Sequence, residues 1–509
     1  MNILDPIRRN AQAFPGRIAL VTDGKEVTYG QLARLTALAG ARLADAGVAR
    51  GESVALSVSH PASYLLTALA VARLGAVVTP LSLSSPAEQT SAIIEHHQIR
   101  TVVRDFREEW RHPSVPEGRY LSAKSLLEPA AAGTGANMKL PELAMDVGGQ
   151  PWLIALSSGT TGKRKSIVQT HERAVLYACL ANEQSDPADM ERVLVFASPH
   201  LSISINAILQ QLVAGRTVVL STGSKPEHFF ASIARDRPTR VVATTGTAVR
   251  LVAYAAQSLP DSRSQCESVR SMTIGGSAAS PSLCEQIERF ICPRLEIYYG
   301  SSEAGRIATA TRQTLTARPS SAGRLCPWVE MEAVGESGQA LPPGTSGVLR
   351  VRSPLMAEGY LHDPEATARA YRDGWYYPGD TGSVDKTGYL TLNGRVDEVL
   401  NLGGNKMDPF IIEAVLDAQP HIEESVVLAV QDARGFPLLI ALVVASAPFD
   451  EQALRKACLE RLGPNYVPRR IRRTDSIPRN SGGKVMRKEL AERVSRLAPK
   501  AEPALKGNQ

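Results

Sequence analysis

No two of the six cysteines in this 509-residue chain have the spacing of a zinc knuckle or a redox motif. Cys179, Cys266, Cys284, Cys292, Cys326 and Cys458 are scattered, so reduced core thiols in a cytoplasmic protein are expected. Aromatic residues make up only 5%, and none interleave with a basic stripe, so no nucleic-acid partner is expected. Blocks of like charge are absent, which argues against disorder outside the tail at 501–509. The most apolar long segment, Tyr64 to Leu81, carries Arg73, Gly75 and Pro80 and so reads as a helix followed by a strand. Met1 to Asn10 reaches Asp5, Arg8 and Arg9 without an apolar core, so neither a signal peptide nor a stable membrane anchor is expected.

What is present is a soluble composition, 43% hydrophobic and 21% charged, on a chain too long for one core. The formal charge of +6 suits polyanionic small molecules but is equally ordinary surface charge. Thr28 and Gln31 have capping-box spacing, and Leu32, Leu35, Ala39 and Leu43 then recur at helical intervals up to Gly47. Short apolar runs follow at Val54 to Val58, Val77 to Val78, Val193 to Phe196, Val218 to Leu220, Val241 to Ala243, Met272 to Ile274 and Leu295 to Tyr299, separated by helical patterns or turns. Continuous apolar strands alternating with helices predict an α/β fold of mainly parallel sheets flanked by helices. After about Gly394 the character changes to a small α+β domain. It holds a helix with Ile411, Ile412 and Val415 inward, a hairpin of Val426 to Val430 and Leu438 to Val444 turned at Asp432 to Gly435, and a helix from about Glu451. The expected division is 1–396, 397–500 and a tail.

The strongest local signal is Ser157-Ser158-Gly159-Thr160-Thr161-Gly162-Lys163-Arg164-Lys165 after the apolar run Trp152 to Ala155. Small residues let backbone N–H groups approach phosphate oxygens, hydroxyls add donors and lysine adds charge. It is not a Walker A loop, because only two residues separate Gly159 from Gly162 and Arg164 follows Lys163.

Read with later segments in fixed order, this loop resembles that of the adenylate-forming superfamily of acyl-CoA synthetases, aryl-CoA ligases, luciferases and adenylation domains. The resemblance runs from about Phe14 to the basic stretch near Arg487. It implies that Ser157 to Lys165 hold the β- and γ-phosphates of ATP. Ile297-Tyr298-Tyr299-Gly300-Ser301-Ser302-Glu303 matches Tyr-Gly-x-Thr-Glu, with a Tyr ring near adenine, Ser302 in place of Thr, and Glu303, with Thr161, on Mg²⁺. Gly276, Ser277 and Ala278 resemble the adenine-binding turn, and Asp380 the ribose-binding acceptor. Taken singly, each of these is an ordinary turn.

At the junction, Arg395 is implied on ribose or phosphate and Asp397 as the hinge; Gly403, Gly404 and Lys406 resemble the loop that lines the thiol tunnel. Pro409-Phe410-Ile411-Ile412-Glu413 lacks one carboxylate of the usual Pro-x-Glu-Ile-Glu. Lys484, after Ser481-Gly482-Gly483, is implied as the catalytic lysine that bridges the carboxylate and the α-phosphate. The small domain would rotate to alternate two half-reactions.

His200 resembles the residue that acyl- and aryl-CoA ligases place beside the carboxylate path. The position where amino-acid-activating members carry an Asp falls near Ser202, which disfavours α-amino acids. Together with Thr245, Gly276 and Ser301, these residues make the expected pocket for an aryl or medium acyl acid. The expected acceptor is coenzyme A, the alternatives being a carrier-protein phosphopantetheine or a non-catalytic nucleotide-binding role. A monomer or homodimer is compatible with the sequence.

Overall fold

The computed structural model describes residues 1–82, 85, 87–105, 111–128, 142–157, 165–318, 321–396, 400–402, 405–407, 409–431, 437–479 and 485–497, with backbone alone at 157, 401, 402, 405–407, 431, 437, 488 and 495–497.

Local chemistry sets the first elements. Thr28 and Gln31 close a complete capping box on the helix Tyr29–Asp45. The helix Pro61–Arg73 starts with proline at its first position, and the His60 side chain accepts from Ser63 N. These helices place Leu32, Leu43, Leu65 and Leu69 in one apolar cluster with Trp152, Ile208, Leu212 and Val218. That cluster joins the two large sheets, because it draws on strands of both.

The first sheet runs in the order Tyr120–Ser122, Thr101–Arg104, Ser53–Ser57, Val77–Pro80, Pro151–Ser157, Lys165–Thr170. Its first five strands are parallel and the last pair is antiparallel. The second sheet has 15 strands. Ile18–Thr22, Thr217–Leu220, Arg192–Val195, Arg240–Thr244, Ser271–Gly275 and Leu295–Ser301 are parallel neighbours, as their continuous apolar runs imply. Beyond Ser301 the chain reverses, and pairing is antiparallel through Gly305–Thr311, Ser321–Leu325, Tyr389–Arg395 and Asp380–Val384. These later strands bury one face incompletely, so they lack the apolar runs that mark the parallel half.

A three-stranded sheet, Ile422–Gln431, Pro437–Ala445 and Arg470–Arg473, carries the C-terminal core. Ile412, Val415 and Leu416 pack on one face with Leu454 and Cys458, and Leu490 and Val494 on the other. Ile411 is exposed, contrary to expectation, because it falls at the edge of the helical stripe centred on Ile412. The expected turn at Asp432 to Gly435 lies outside the described residues. All six cysteines are free; five are buried, but Cys179 faces outward from the helix His171–Glu183, which corrects the reading of all six as core thiols. Among the described residues no helix is long and apolar enough to cross a membrane.

Candidate active site

Three neighbouring parallel strands end together, as open α/β ligand sites require. Thr244 is in register with Gly275, and Gly275 with Tyr298. From the first strand end, Thr245 Oγ1 donates to the carbonyls of Gly275 and Ser277, at 3.3 and 3.0 Å. These bonds hold the turn of Gly276, Ser277 and Ala278, in which Gly276 adopts φ +99°. A side chain at Gly275 would lie 2.6 Å from the Tyr298 ring, so the turn depends on its absence. Gly276 and Ala278 are exposed, which leaves backbone surface for a flat ligand.

Alternation along Leu295–Ser301 separates the two tyrosines. Tyr299 donates its hydroxyl to Asp380 Oδ2, while Arg395 Nη1 donates to Asp380 Oδ1 at 3.1 Å. Asp380 and Arg395 face one another across adjacent strands, and both are shielded from water. Burial, reinforced by the Asp380 carboxylate, raises the Tyr299 phenol well above its ordinary pKa, so it remains a neutral donor. Tyr298 points the other way, with Arg306 over its ring at 5.2 Å. Of the two, Tyr299 is therefore the one brought to Asp380.

Glu303 sits in the reversal after Ser301, 8% exposed. Tyr360 donates its hydroxyl to Glu303 Oε1 at 3.0 Å, and Lys165 Nζ lies 3.5 Å from that hydroxyl and 4.5 Å from the ring centre. Burial and the nearby Glu303 raise the Tyr360 pKa, so this phenol also stays protonated. Ser157 and Lys165 are register partners, which fixes both ends of the glycine-rich segment at one edge of the first sheet. Ser202 and Ser302 share a hydrogen bond of 2.8 Å between hydroxyls, and Gln169 donates to Ser302 O at 3.1 Å. The Ser301 hydroxyl accepts from Ala304 N at 3.2 Å, bracing the turn that carries Glu303. Half-buried His200 lies at the start of the helix Ser202–Val213, its Nδ1 2.8 Å from Ser198 Oγ.

Thus Lys165, Thr245, Gly276, Ser277, Ala278, Tyr299, Gly300, Ser301, Ser302, Glu303, Asp380 and Arg395 are linked by short bonds or adjacent strand ends. Ser158, Gly159, Thr160, Thr161, Gly162, Asp397, Gly403, Gly404 and Lys484, with the side chains of Ser157 and Lys406, lie outside the described residues. Three contributors escaped the sequence reading. Tyr360 and Gln169 belong to no motif, whereas Arg479, which donates to Ser277 Oγ at 3.2 Å from the small domain, stands inside the segment already singled out for Lys484.

The family of AMP-binding enzymes matches residues 7–361, and its C-terminal domain family matches residues 411–484. The chain belongs to the AMP-binding enzyme family, and ATP use comes with that membership. It is 26% identical to 2-succinylbenzoate–CoA ligase of Bacillus licheniformis, over 95% of this chain and 98% of the relative. It is 28% identical to indoleacetate–CoA ligase of Aromatoleum aromaticum, over 97% and 99%. The solved amide bond synthetase McbA of Marinactinospora thermotolerans superposes with a TM-score of 0.80 at 26% identity, covering 96% of this chain and 99% of that one. The expectation of an AMP-forming acid–thiol ligase is borne out by the CoA-ligase relatives.

Proposed function

We propose that this protein activates an aryl or medium acyl carboxylic acid with ATP, forming an acyl-adenylate and releasing pyrophosphate, then passes the acyl group to the thiol of coenzyme A. The observation that carries this reading is the bonded set Arg395–Asp380–Tyr299 standing beside Lys165–Tyr360–Glu303 at converging strand ends. One side offers a carboxylate whose free lone pairs suit ribose hydroxyls, and the other offers a cation and a carboxylate suited to a metal–phosphate group.

A carboxylate that attacks an α-phosphate meets like charge, so the site must supply cations and donors along the approach. Lys484 is the cation for that meeting, and Lys165 with the segment from Ser157 to Gly162 binds the leaving phosphates. Glu303 fits Mg²⁺ that arrives with the nucleotide: one oriented carboxylate suffices where phosphates and water complete the octahedron. The metal would neutralise phosphate charge. Tyr360 holds the Glu303 carboxylate in place, and Tyr299 and Arg395 hold that of Asp380. Gly276, Ser277 and Ala278 receive the adenine against backbone, with the Tyr298–Ser302 strand end beneath it. His200, Ser202, Thr245 and Ser301 border the carboxylate path.

The chain divides in this reading at Asp397, with 1–396 forming the adenylation body and 397–500 rotating to bring Gly403, Gly404 and Lys406 to the thiol. The exposed Arg469 and Arg470 suit the phosphates of coenzyme A. The CoA-ligase names of the relatives favour that acceptor over a carrier-protein phosphopantetheine. The test is acid-dependent pyrophosphate release across aryl, fatty and dicarboxylic acids, followed by thioester formation with free coenzyme A. Release without any acid dependence would overturn the reading; release followed by transfer only to a phosphopantetheinyl protein would replace the acceptor.

A further inference from the structure

One side chain of the small domain reaches the turn of Gly276, Ser277 and Ala278. Arg479 donates through Nη1 to Ser277 Oγ at 3.2 Å, across 202 residues of chain, and through Nη2 to Glu424 on the strand Ile422–Gln431. Both side chains of that ion pair are largely shielded from water. The two arms of one guanidinium thus engage two parts of the molecule, a carboxylate of the small domain and a hydroxyl of the large one.

The two bonds differ in strength. The Glu424 bond joins opposite charges, whereas Ser277 offers a neutral acceptor, so the first keeps the arginine with the small domain and the second is the one that can break. The Ser277 hydroxyl is not what keeps its own turn in shape, because Thr245 Oγ1 holds the Ser277 carbonyl at 3.0 Å. Arg479 is equally well tied to the segment that carries Lys484. It is the antiparallel bridge partner of Val485, the residue after Lys484, and Met486 N donates to Pro478 O at 3.1 Å, so the two ends of that segment are closed together. Three residues beyond Lys484, Arg487 grips both carboxylate oxygens of Glu413, with Nη2 to Oε2 at 2.7 Å. Whatever orients Arg479 on the large domain therefore orients the base of the Lys484 segment as well.

We propose that the Arg479–Ser277 hydrogen bond is a latch that holds the small domain in the orientation that forms the adenylate, and that it parts when the domain turns to the thiol. This rests on the ligase reading above and its rotating small domain. A contact made in only one of two orientations shifts the balance between them by its own free energy and by no more. Arg479 is then a positioning residue that acts through the placement of Lys484, and Ser277 is its docking point. A bond from a charged donor to a neutral hydroxyl suits the task, since it is strong enough to bias the first half-reaction and weak enough to release for the second.

The experiment assays the two half-reactions of the full chain separately, with ATP affinity from calorimetry and folding checked by urea unfolding. Arg479→Lys keeps the charge beside Glu424 but lacks the fork that spans both partners. It should lower pyrophosphate release at saturating ATP by about tenfold, the worth of one charged hydrogen bond, while thioester formation from a supplied acyl-adenylate changes by less than about twofold. Ser277→Ala should bring the same loss of release with a far smaller loss of ATP affinity, because the turn receives the base on its backbone. The double variant should lose no more than either single one, since both remove the same bond. Equal losses in both half-reactions for Arg479→Lys would overturn the latch, as would losses that multiply in the double variant. Should Arg479→Lys not fold, Ser277→Ala decides alone: an unchanged rate of release, or a loss confined to ATP affinity, overturns the proposal. No acid-dependent release from the unmodified protein would overturn the ligase reading itself, and the latch with it.

Discussion

Tyr299 is hydrogen-bonded to Asp380 although three strands stand between theirs in the order of the sheet. The antiparallel half must therefore curl back on itself, which brings a residue from the parallel half against one from the far side of the curl. Asp380 also holds Arg395, so one carboxylate ties three strands of the site together.

Asp380→Asn should keep the side chain's shape and lose the charge that pairs with Arg395 and that the proposed ribose contact requires. Catalytic efficiency with ATP should fall on the order of 10²-fold, because charged hydrogen bonds in a water-poor site are the strong ones. Pyrophosphate release at varied ATP measures it. A change confined to the KM for the acid would remove Asp380 from the nucleotide site.

Lys484→Ala should abolish adenylate formation and spare thioester formation from a supplied acyl-adenylate, while Asp397→Pro should do the reverse. The two half-reactions are assayed separately, by pyrophosphate release and by acyl-CoA formation. Equal losses in both halves for either variant would refute a rotating small domain.

The small domain carries its own pH response. The Asp417 carboxyl points inward with Oδ1 unpartnered, and burial, with Glu413 and Glu424 adding repulsion, pushes its pKa up to about 8. The folded chain then keeps a proton that the unfolded chain releases near pH ~4. This group favours folding below that pH, and its contribution is lost as pH rises through about 8. Asp417→Asn stays neutral, so its unfolding midpoint in urea should exceed that of the unmodified protein at about pH 8.5 and approach it near pH ~4. Equal midpoints at the higher pH would show that the carboxyl is hydrated.

Nearby, Glu413 is 6% exposed, accepts from Val427 N at 2.6 Å and is bracketed by Arg487. Glu413→Ala strands that guanidinium and should cost about 3 kcal/mol. Urea unfolding measures the loss, and a cost within experimental scatter would mean that water replaces the carboxylate.

How much of this was legible depended on whether the signal was local. The capping box at Thr28 and Gln31 and the apolar runs of the parallel strands are properties of short windows, and each formed as read. Ordered motifs likewise brought out Glu303, Asp380 and Arg395. Tyr360 and Gln169 were not legible, because their meaning lies in contacts between distant segments: Tyr360 meets Glu303 across 57 residues of chain. The choice between Tyr298 and Tyr299 needed the direction of the strand, since alternate residues face opposite sides.

Gly300 tests whether the turn itself positions the Glu303 carboxylate. A Cβ there would lie 2.3 Å from Gly305 O, a backbone atom of the paired strand, so the hairpin must open to accept it. Glu303 lies within that hairpin, and its carbonyl accepts from Ala357 N at 2.6 Å. Gly300→Ala should therefore destabilise by about 1–3 kcal/mol through overpacking and also lower pyrophosphate release well beyond what partial unfolding explains. Ser302→Thr adds only a methyl group and should keep most of the rate. Urea unfolding and pyrophosphate release on the same samples separate the two effects. If folded Gly300→Ala turned over normally, the placement of Glu303 would not depend on this turn, and its proposed hold on the metal–nucleotide group would fail with it.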